Sequence, residues 1–565
     1  MEKNVYEFIS NNINDPIVEW KTCKGSWEEF PIYQSDKDFY DKVSPIINGK
    51  RFQFPTPTLC PEERQIRRLS FRNERKLYKR TCDATGKQII SIYSPDKPYK
   101  VYDQKYWWSD GRDPLEYGRA YDFSKTFSQQ FAELIVEVPK PSLHATECEN
   151  SDYTNHSYYN KNCYYVFGAG YSEDCYYSDQ LVYSKNCVEC TISEKNTHCF
   201  QCVSCTNCSN CKYCNFCKDS IDCIACNDCV WCTSCIDCEN LVNKQYYIAN
   251  KEVGKEQYEE YLATAELKHH LSKTKKAVKI SDSENCIGNE IYNSKNCVLV
   301  YDMYSSQWCK YVCSDSDSID SFDCYGATKS PNSIECLSVL NWYSNIGNLF
   351  SLNSKYVMFS QFVDNCSNVF WCIGLRNKQY CIFNKQYTKE DYDILVPKII
   401  SKMVDDGERW EFFDPMLSPF GYNETIAQDN YPLTKEDALR KWYKRQELDY
   451  DTNIPANMST LQWDTIPQDI HTVEDSILNA ILICEVTGKP FRIQKSELEF
   501  YRKHNLPLPH KHPDQRHKER LQQLAPRNLF LRECDHCHTE ILSVYNTSYT
   551  GNIYCEKCYV KEIYG

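Results

Sequence analysis

Residues 199–238 read CFQCVSCTNCSNCKYCNFCKDSIDCIACNDCVWCTSCIDC, with cysteine at every third position except Ser220. A longer beat underlies this one. Cys163, Cys175, Cys187, Cys199, Cys211, Cys223 and Cys235 stand twelve residues apart throughout, and a period held over seven turns marks a repeat architecture. Just before each of them comes Asn162, Asp174, Asn186, His198, Asn210, Asp222 or Ser234, types that suit a corner of left-handed or turn backbone. Nine residues after the phasing cysteine stand Ser172, Ser184, Asn196, Cys208, Ser220 and Cys232, all small. Twelve residues per turn is too short for a helix pair and fits a narrow β-solenoid whose coils stack about 4.8 Å apart. The seven cysteines then form a ladder down its interior.

The stretch that ends this solenoid recurs. Cys238, Leu241, Asn243, Lys244, Gln245, Tyr246, Ile248, Asn250 and Lys251 reappear as Cys372, Leu375, Asn377, Lys378, Gln379, Tyr380, Ile382, Asn384 and Lys385. An open solenoid end exposes strand edges and requires a cap, so both NKQY segments are read as caps leading into helices. Between them lies a second, looser solenoid. Cys286, Cys297 and Cys309 are eleven and twelve apart, and inward places pass to Val, Leu, Ile, Phe and Ser. Since apolar residues serve there, cysteine in the first solenoid reads mainly as a packed small side chain. Zinc-thiolate sites, iron–sulfur ligation and disulfides are the alternatives.

Both ends of the chain carry one module. At a shift of 452, Pro55, Arg64, Arg68, Arg75, Arg80, Cys82, Asp83, Ser91 and Tyr102 meet Pro507, Arg516, Arg520, Arg527, Arg532, Cys534, Asp535, Ser543 and Tyr554. In the C-terminal copy Cys534-x2-Cys537 and Cys555-x2-Cys558 have the spacing of a four-cysteine zinc ribbon. With every ligand place taken by sulfur, a structural Zn2+ is expected. In the N-terminal copy Thr85, Asp103 and Tyr106 replace three of the four, so a ribbon without metal is expected, filled by Tyr106, Trp107 and Trp108. Earlier in each module Cys23 and Cys60, and Cys484 and His512, are weaker candidate ligands, two per copy.

Each module also carries an arginine row. Arg64, Arg68, Arg72 and Arg75, and Arg516, Arg520 and Arg527, suit contacts to nucleic-acid phosphates or a solvated helix face. The cluster His510, His512, Asp514 and His517 resembles a metallonuclease set only weakly, because the other copy has Thr58, Cys60, Glu62 and Gln65 there. No phosphate loop, nucleophile elbow or HExxH motif occurs.

The chain has 565 residues, net charge -13, 35 Cys, 44 Tyr and 6 Met. It shows no apolar span long enough for a membrane helix and no signal-peptide pattern at MEKNVYEFISNNINDP. A reducing cytoplasm is expected, or a virion if the source is viral, and with it thiols or metal ligands in preference to disulfides.

With the phrases PTPTLCPEERQIRRLSFRNERKLYKRTCDATGKQIISIY, VYDQKYWWSD, IGLRNKQYCIFNKQYTKEDY and SPFGYNETIAQDNYPLTKEDAL in view, the chain resembles a family of uncharacterised cysteine-rich, zinc-ribbon repeat proteins of candidate-phyla bacteria. Some of these carry a CaiB/BaiF CoA-transferase label. The resemblance covers most of the chain and implies no activity. Family members have C-x2-C where this chain has Cys60 and Glu63.

The expected architecture is mainly β: two narrow solenoids with helical caps between duplicated ribbon modules. The segments are 20–108, an eroded double ribbon module; 109–144, a connector; 145–265, the cysteine-rich solenoid with cap and helix; 266–282, a linker; 283–404, the second solenoid; 405–480, a connector of lower order, with a helix from Thr434 to Lys444; and 481–565, the module with the intact zinc site. The expected function is that of a non-enzymatic scaffold or interaction protein with a protein partner. The alternatives are a nucleic-acid- or ribosome-associated factor and a metal-storage or redox protein. Residues 145–242 carry thirteen Asp or Glu against five Lys, which makes the first solenoid acidic and unsuited to phosphates.

Overall fold

The computed structural model describes residues 1–194, 203–206, 220–264, 274–341, 343–408, 411–448 and 459–564. Cys199 and Cys211 of the ladder lie outside them, as do His198, Asn210 and part of the expected 266–282 linker. The chain divides into two compact units. One comprises Met1–Ser142, Lys273–Arg445 and Pro526–Val560, the other Leu143–Ser272, Gln446–Ala525 and Lys561–Gly565. Chain order is therefore not kept, and the module read over 481–565 is divided between the units after Ala525.

The solenoid is built from triplets. In Tyr164-Tyr165-Val166, Tyr164 bridges to Tyr176 of the next coil, Tyr165 has φ 56° and Val166 points inward, fully buried. Four triplets close one coil of twelve residues. The left-handed corners expected before the phasing cysteines are present at Asn162, Asp174, Asn186, Asp222 and Ser234, with φ between 52° and 55°. Each coil adds further left-handed corners to this one, at Tyr165, Tyr171, Tyr177 and Glu189 among others. Bulky residues rarely adopt this conformation. It is held because each corner N–H binds the coil before, as in Tyr183 N–H to Gly170 O at 3.0 Å, and each bridge N–H the coil after, as in Phe167 to Ser178 O at 3.0 Å.

The third N–H of the triplet is the one that selects the interior residues. It points into the tube and needs an acceptor there, since a buried unpaired N–H is costly. Where the inward residue one coil earlier is Ser, Asn or Cys, its side chain is the acceptor. Cys163 donates to Ser151 Oγ at 3.1 Å, Cys190 to Ser178 Oγ at 3.0 Å and Cys232 to Ser220 Oγ at 3.2 Å. Asparagine and cysteine serve equally: Ser360 N–H binds Asn348 Oδ1 at 2.8 Å and Asn384 N–H binds Cys372 Sγ at 3.2 Å. Inward cysteine is thus an acceptor as well as a small packed group.

In the unit holding Leu143–Ser272, successive coils pair in parallel from Ala145–Thr146 to Thr191–Glu194 and Val203–Thr206, and again from Ile221 to Gln245–Ile248. The expected cap is the antiparallel turn of Gln245–Ile248 against Lys251–Glu252, followed by helix Lys255–Thr264. Residues 459–525 pack on this solenoid, with Val188 joining the core of Leu482, Phe491, Leu498 and Leu508.

In the other unit the coils run to Gln379–Ile382, capped in the same way by Lys385–Gln386 and helix Lys389–Asp405. The eleven-residue interval from Cys286 to Cys297 is absorbed at Gly288. Ile287 pairs with Val298, Gly288 with Val300, and the register shifts between them. Gly288 takes φ 150°, and a Cβ there would lie 1.8 Å from Val300 O.

This unit also contains two hairpins of matching register. Tyr78–Thr81 pairs with Gln88–Ser91 from Tyr78↔Ser91, and Phe530–Glu533 with Glu540–Ser543 from Phe530↔Ser543. Each hairpin holds the strand that precedes a solenoid in the chain. Val101 pairs with Lys140 and Ile92 N–H binds Ser142 O at 2.9 Å; Ile553 pairs with Lys275 and Val544 N–H binds Ala277 O at 3.0 Å. The expected low-order connector is well packed over 411–431: Phe412, Phe413, Phe420 and Tyr422 are buried, and Phe413 stacks on Phe131 at 5.5 Å. The helix expected from Thr434 to Lys444 spans only Lys435–Arg440, capped by Thr434.

Candidate metal centre

The hairpin Phe530–Glu533/Glu540–Ser543 turns through Cys534 and Cys537. Cys534 N–H binds Thr539 O at 2.9 Å, and His538, at φ 58°, returns its N–H to Cys534 O at 2.9 Å. The second pair flanks the start of helix Glu556–Tyr559, where Cys555 caps the N-terminus by accepting Cys558 N–H at 3.4 Å. Asp535 ties the two turns together: its N–H binds Ile553 O at 3.0 Å and its carboxylate accepts Ile553 N–H at 2.6 Å. Cys555 N–H binds Cys534 Sγ at 3.2 Å. The four sulfurs of Cys534, Cys537, Cys555 and Cys558 all lie within 4.8 Å of one another and could hold a metal ion. Hydrogen bonds with Thr539 hold the Cys537 thiol down at about 6, whereas desolvation pushes Cys558 up to about 12. Four converging thiols with N–H···S support fit a tetrahedral soft-ligand site with no open position.

The N-terminal copy keeps the frame and lacks the quartet. Asp103 N–H binds Cys82 Sγ at 3.2 Å, as Cys555 does Cys534, and Asp103 caps helix Gln104–Trp108 in place of a cysteine. Tyr106 packs edge-on to Tyr102 at 5.3 Å, and Trp107 is buried beneath Arg112. Among the described residues no other group of three or more Cys, His, Asp or Glu meets the same distance limit.

The weaker candidates do not gather into a site. Cys60 N–H binds Cys23 Sγ at 3.1 Å, and Ser26 stands beside them at 3.8 Å, so two sulfurs meet and no third ligand follows. His512 spends Nδ1 on capping helix Pro513–Leu521. His510 stacks on Trp463 at 4.0 Å and binds Glu485, while His517 pairs with Asp179 at 2.8 Å, so the histidine cluster disperses to separate partners.

The arginine rows are the largest departure from the sequence reading, which placed their charge in water or on phosphates. Arg64 binds Asp323 at 2.8 Å; Arg68 binds Glu335 at 2.6 Å and Asp323 at 3.3 Å. Arg72 pairs with Glu74 at 2.6 Å and Arg527 with Asp302 at 2.7 Å, and Arg75 is buried. In the other unit Arg516 and Arg520 share Glu189, which is 1% exposed. Both rows dock a module helix on a solenoid through buried ion pairs. Sequence reasoning missed these acids because each is one residue among many outward ones. The available signal was that Glu189 and Glu335 stand in left-handed corner places where Asn, Asp and Ser are common; Asp323 carried none.

Compared with protein-family models and with curated proteins, the chain matches none. Among the described residues no helix is long and apolar enough to cross a membrane.

Proposed function

We propose that this is a non-enzymatic structural protein in which a zinc ribbon, Cys534, Cys537, Cys555 and Cys558 around one Zn2+, locks the start of a β-solenoid whose outer surface receives a protein partner. One observation carries the reading. Asn552–Tyr554, the strand running directly into Cys555, pairs in parallel with Thr274–Lys276, the strand that leads into the first coil of its unit. Lys276 also pairs with Glu556 between the second pair of ligands. A metal bound there would fix both turns of the ribbon and therefore the strand from which winding begins. Structural zinc contributes folding free energy directly. No residue is assigned a catalytic role, since the buried arginines and carboxylates serve docking. A nucleic-acid reading loses its proposed contacts to the same ion pairs.

Elemental analysis of the full chain, purified without chelator, tests the reading together with Cys537→Ser and Cys555→Ser. One tightly held zinc per chain is expected, lost in both variants, with a lower melting temperature for the unit holding residues 274–408. A wild-type chain without metal, or variants that lose zinc and melt unchanged, would refute it.

A further inference from the structure

The other unit's solenoid holds six thiols in two successive coils: Cys223, Cys226 and Cys229, then Cys232, Cys235 and Cys238. All are inward and at most 1% exposed. The two coils stack in register at Ile221↔Thr233, Ile224↔Ile236 and Asn227↔Glu239, which sets Cys223 against Cys235 and Cys226 against Cys238 in neighbouring coils. Each thiol also donates to a backbone carbonyl, as Cys226 does to Cys235 O at 3.4 Å and Cys229 to Cys238 O at 3.7 Å. The same core continues through Cys163, Val166, Ala169, Cys175, Leu181, Cys187 and Cys190, with Leu241 and Tyr247 packed against it.

Neither packing nor backbone chemistry requires sulfur at this density. In the second solenoid Val300, Met303, Val312, Val339, Val357 and Val363 share the inward places with Cys297, Cys309, Cys324, Cys336, Cys366, Cys372 and Cys381. The inward N–H is satisfied just as well by serine, as at Ser220. What cysteine adds is soft-metal chemistry. We propose that Cys223, Cys226, Cys229, Cys232, Cys235 and Cys238 bind Cu(I) inside the coil.

Geometry and charge both select this ion. Among the described residues only the ribbon quartet brings three or more ligand atoms within 4.8 Å of one another, so the six thiols offer no closed tetrahedral cage. They offer pairs from neighbouring coils, Cys223 with Cys235 and Cys226 with Cys238, and this suits Cu(I), a soft ion content with few thiolate ligands. Each Cu(I) held between two thiols releases both protons, 2 RSH + Cu(I) → [RS–Cu(I)–SR]− + 2 H+, leaving a single negative charge in the tube. Zn2+ on four thiolates would leave two negative charges buried there, a large desolvation penalty. Loading accompanies winding of the coils, when the thiols are still accessible.

The test uses the full, reduced, zinc-loaded chain under anaerobic conditions, titrated with Cu(I) against a bicinchoninate competitor. Zinc and copper are counted in the same sample, so failure here is distinct from absence of zinc at the ribbon. The expected result is competitor-resistant copper with zinc retained, reduced by at least one ion per chain in Cys226→Ser/Cys235→Ser/Cys238→Ser, where serine keeps an inward acceptor. Equal copper in variant and wild type, or uptake only by displacement of zinc, overturns the proposal. Should the variant fail to fold, alkylation mass spectrometry on the wild type in mild denaturant decides: copper must protect the peptide holding Cys223–Cys238, and equal labelling with and without copper overturns the assignment.

Discussion

Asp315 places a carboxyl group inside the solenoid, where Met303, Ala327 and Val339 fill the same inward column. It is 3% exposed and takes over the duty of inward serine and asparagine, accepting Ser316 N–H at 2.7 Å, Ser318 Oγ–H at 2.9 Å and the amide of Ala327 one coil on. Burial pushes it from 3.8 up to about 7. A folded-state value above the unfolded one means that the folded chain holds the extra proton between these limits, so stability falls as pH rises from about 4 to about 7. At about 1.4 kcal/mol per unit, the loss above pH 7 is roughly 4 kcal/mol. Asp315→Asn keeps the acceptor oxygen and removes the charge. Urea unfolding of this unit, followed from pH 4.5 to 8.5, should show the variant matching the wild type in acid and exceeding it by a few kcal/mol at pH 8. A variant less stable than wild type at pH 8, or a wild type with no slope across this window, would refute the account of the inward column.

Lys140 gives the opposite slope: fully buried beside Tyr99 and lowered by desolvation from 10.5 to about 7, it should make stability rise between pH 7 and 10, and Lys140→Met should abolish that rise in thermal melts. Arg68→Ala takes one of two cations from each of Glu335 and Asp323, which keep Arg67 and Arg64, and should destabilise by about 1.5–3 kcal/mol in denaturant titrations, with part regained in Arg68→Ala/Glu335→Gln. Gly288→Ala drives a Cβ into Val300 O and should cost more than about 4 kcal/mol, an exceptional value for one methyl, or prevent soluble expression.

Much of the fold was legible because its determinants repeat. Twelve-residue spacing gave the coil, and Asn162, Asp174 and Asn186 marked corners that are left-handed. The duplicated frame was equally plain, since Cys82 and Cys534 open turns with the same hydrogen bonds. Non-repeating complementarity was not legible. Nothing local to Arg516 names Glu189, 327 residues away, as its partner, and nothing in the sequence near 411–431 announces that Phe412 and Phe413 meet Phe71. The coil was readable from one segment, whereas the docking needs two segments known together.

The inward amide also governs how such a protein can change length. The coils repeat every dozen residues, so growth or shrinkage by a whole dozen leaves every bond between coils in place, whereas any other step misaligns four columns at once. Gly288 marks the one described place where a missing residue has been tolerated by local distortion. A lineage of such chains should therefore differ in size by discrete increments, like rungs added to or taken from a ladder between two fixed ends.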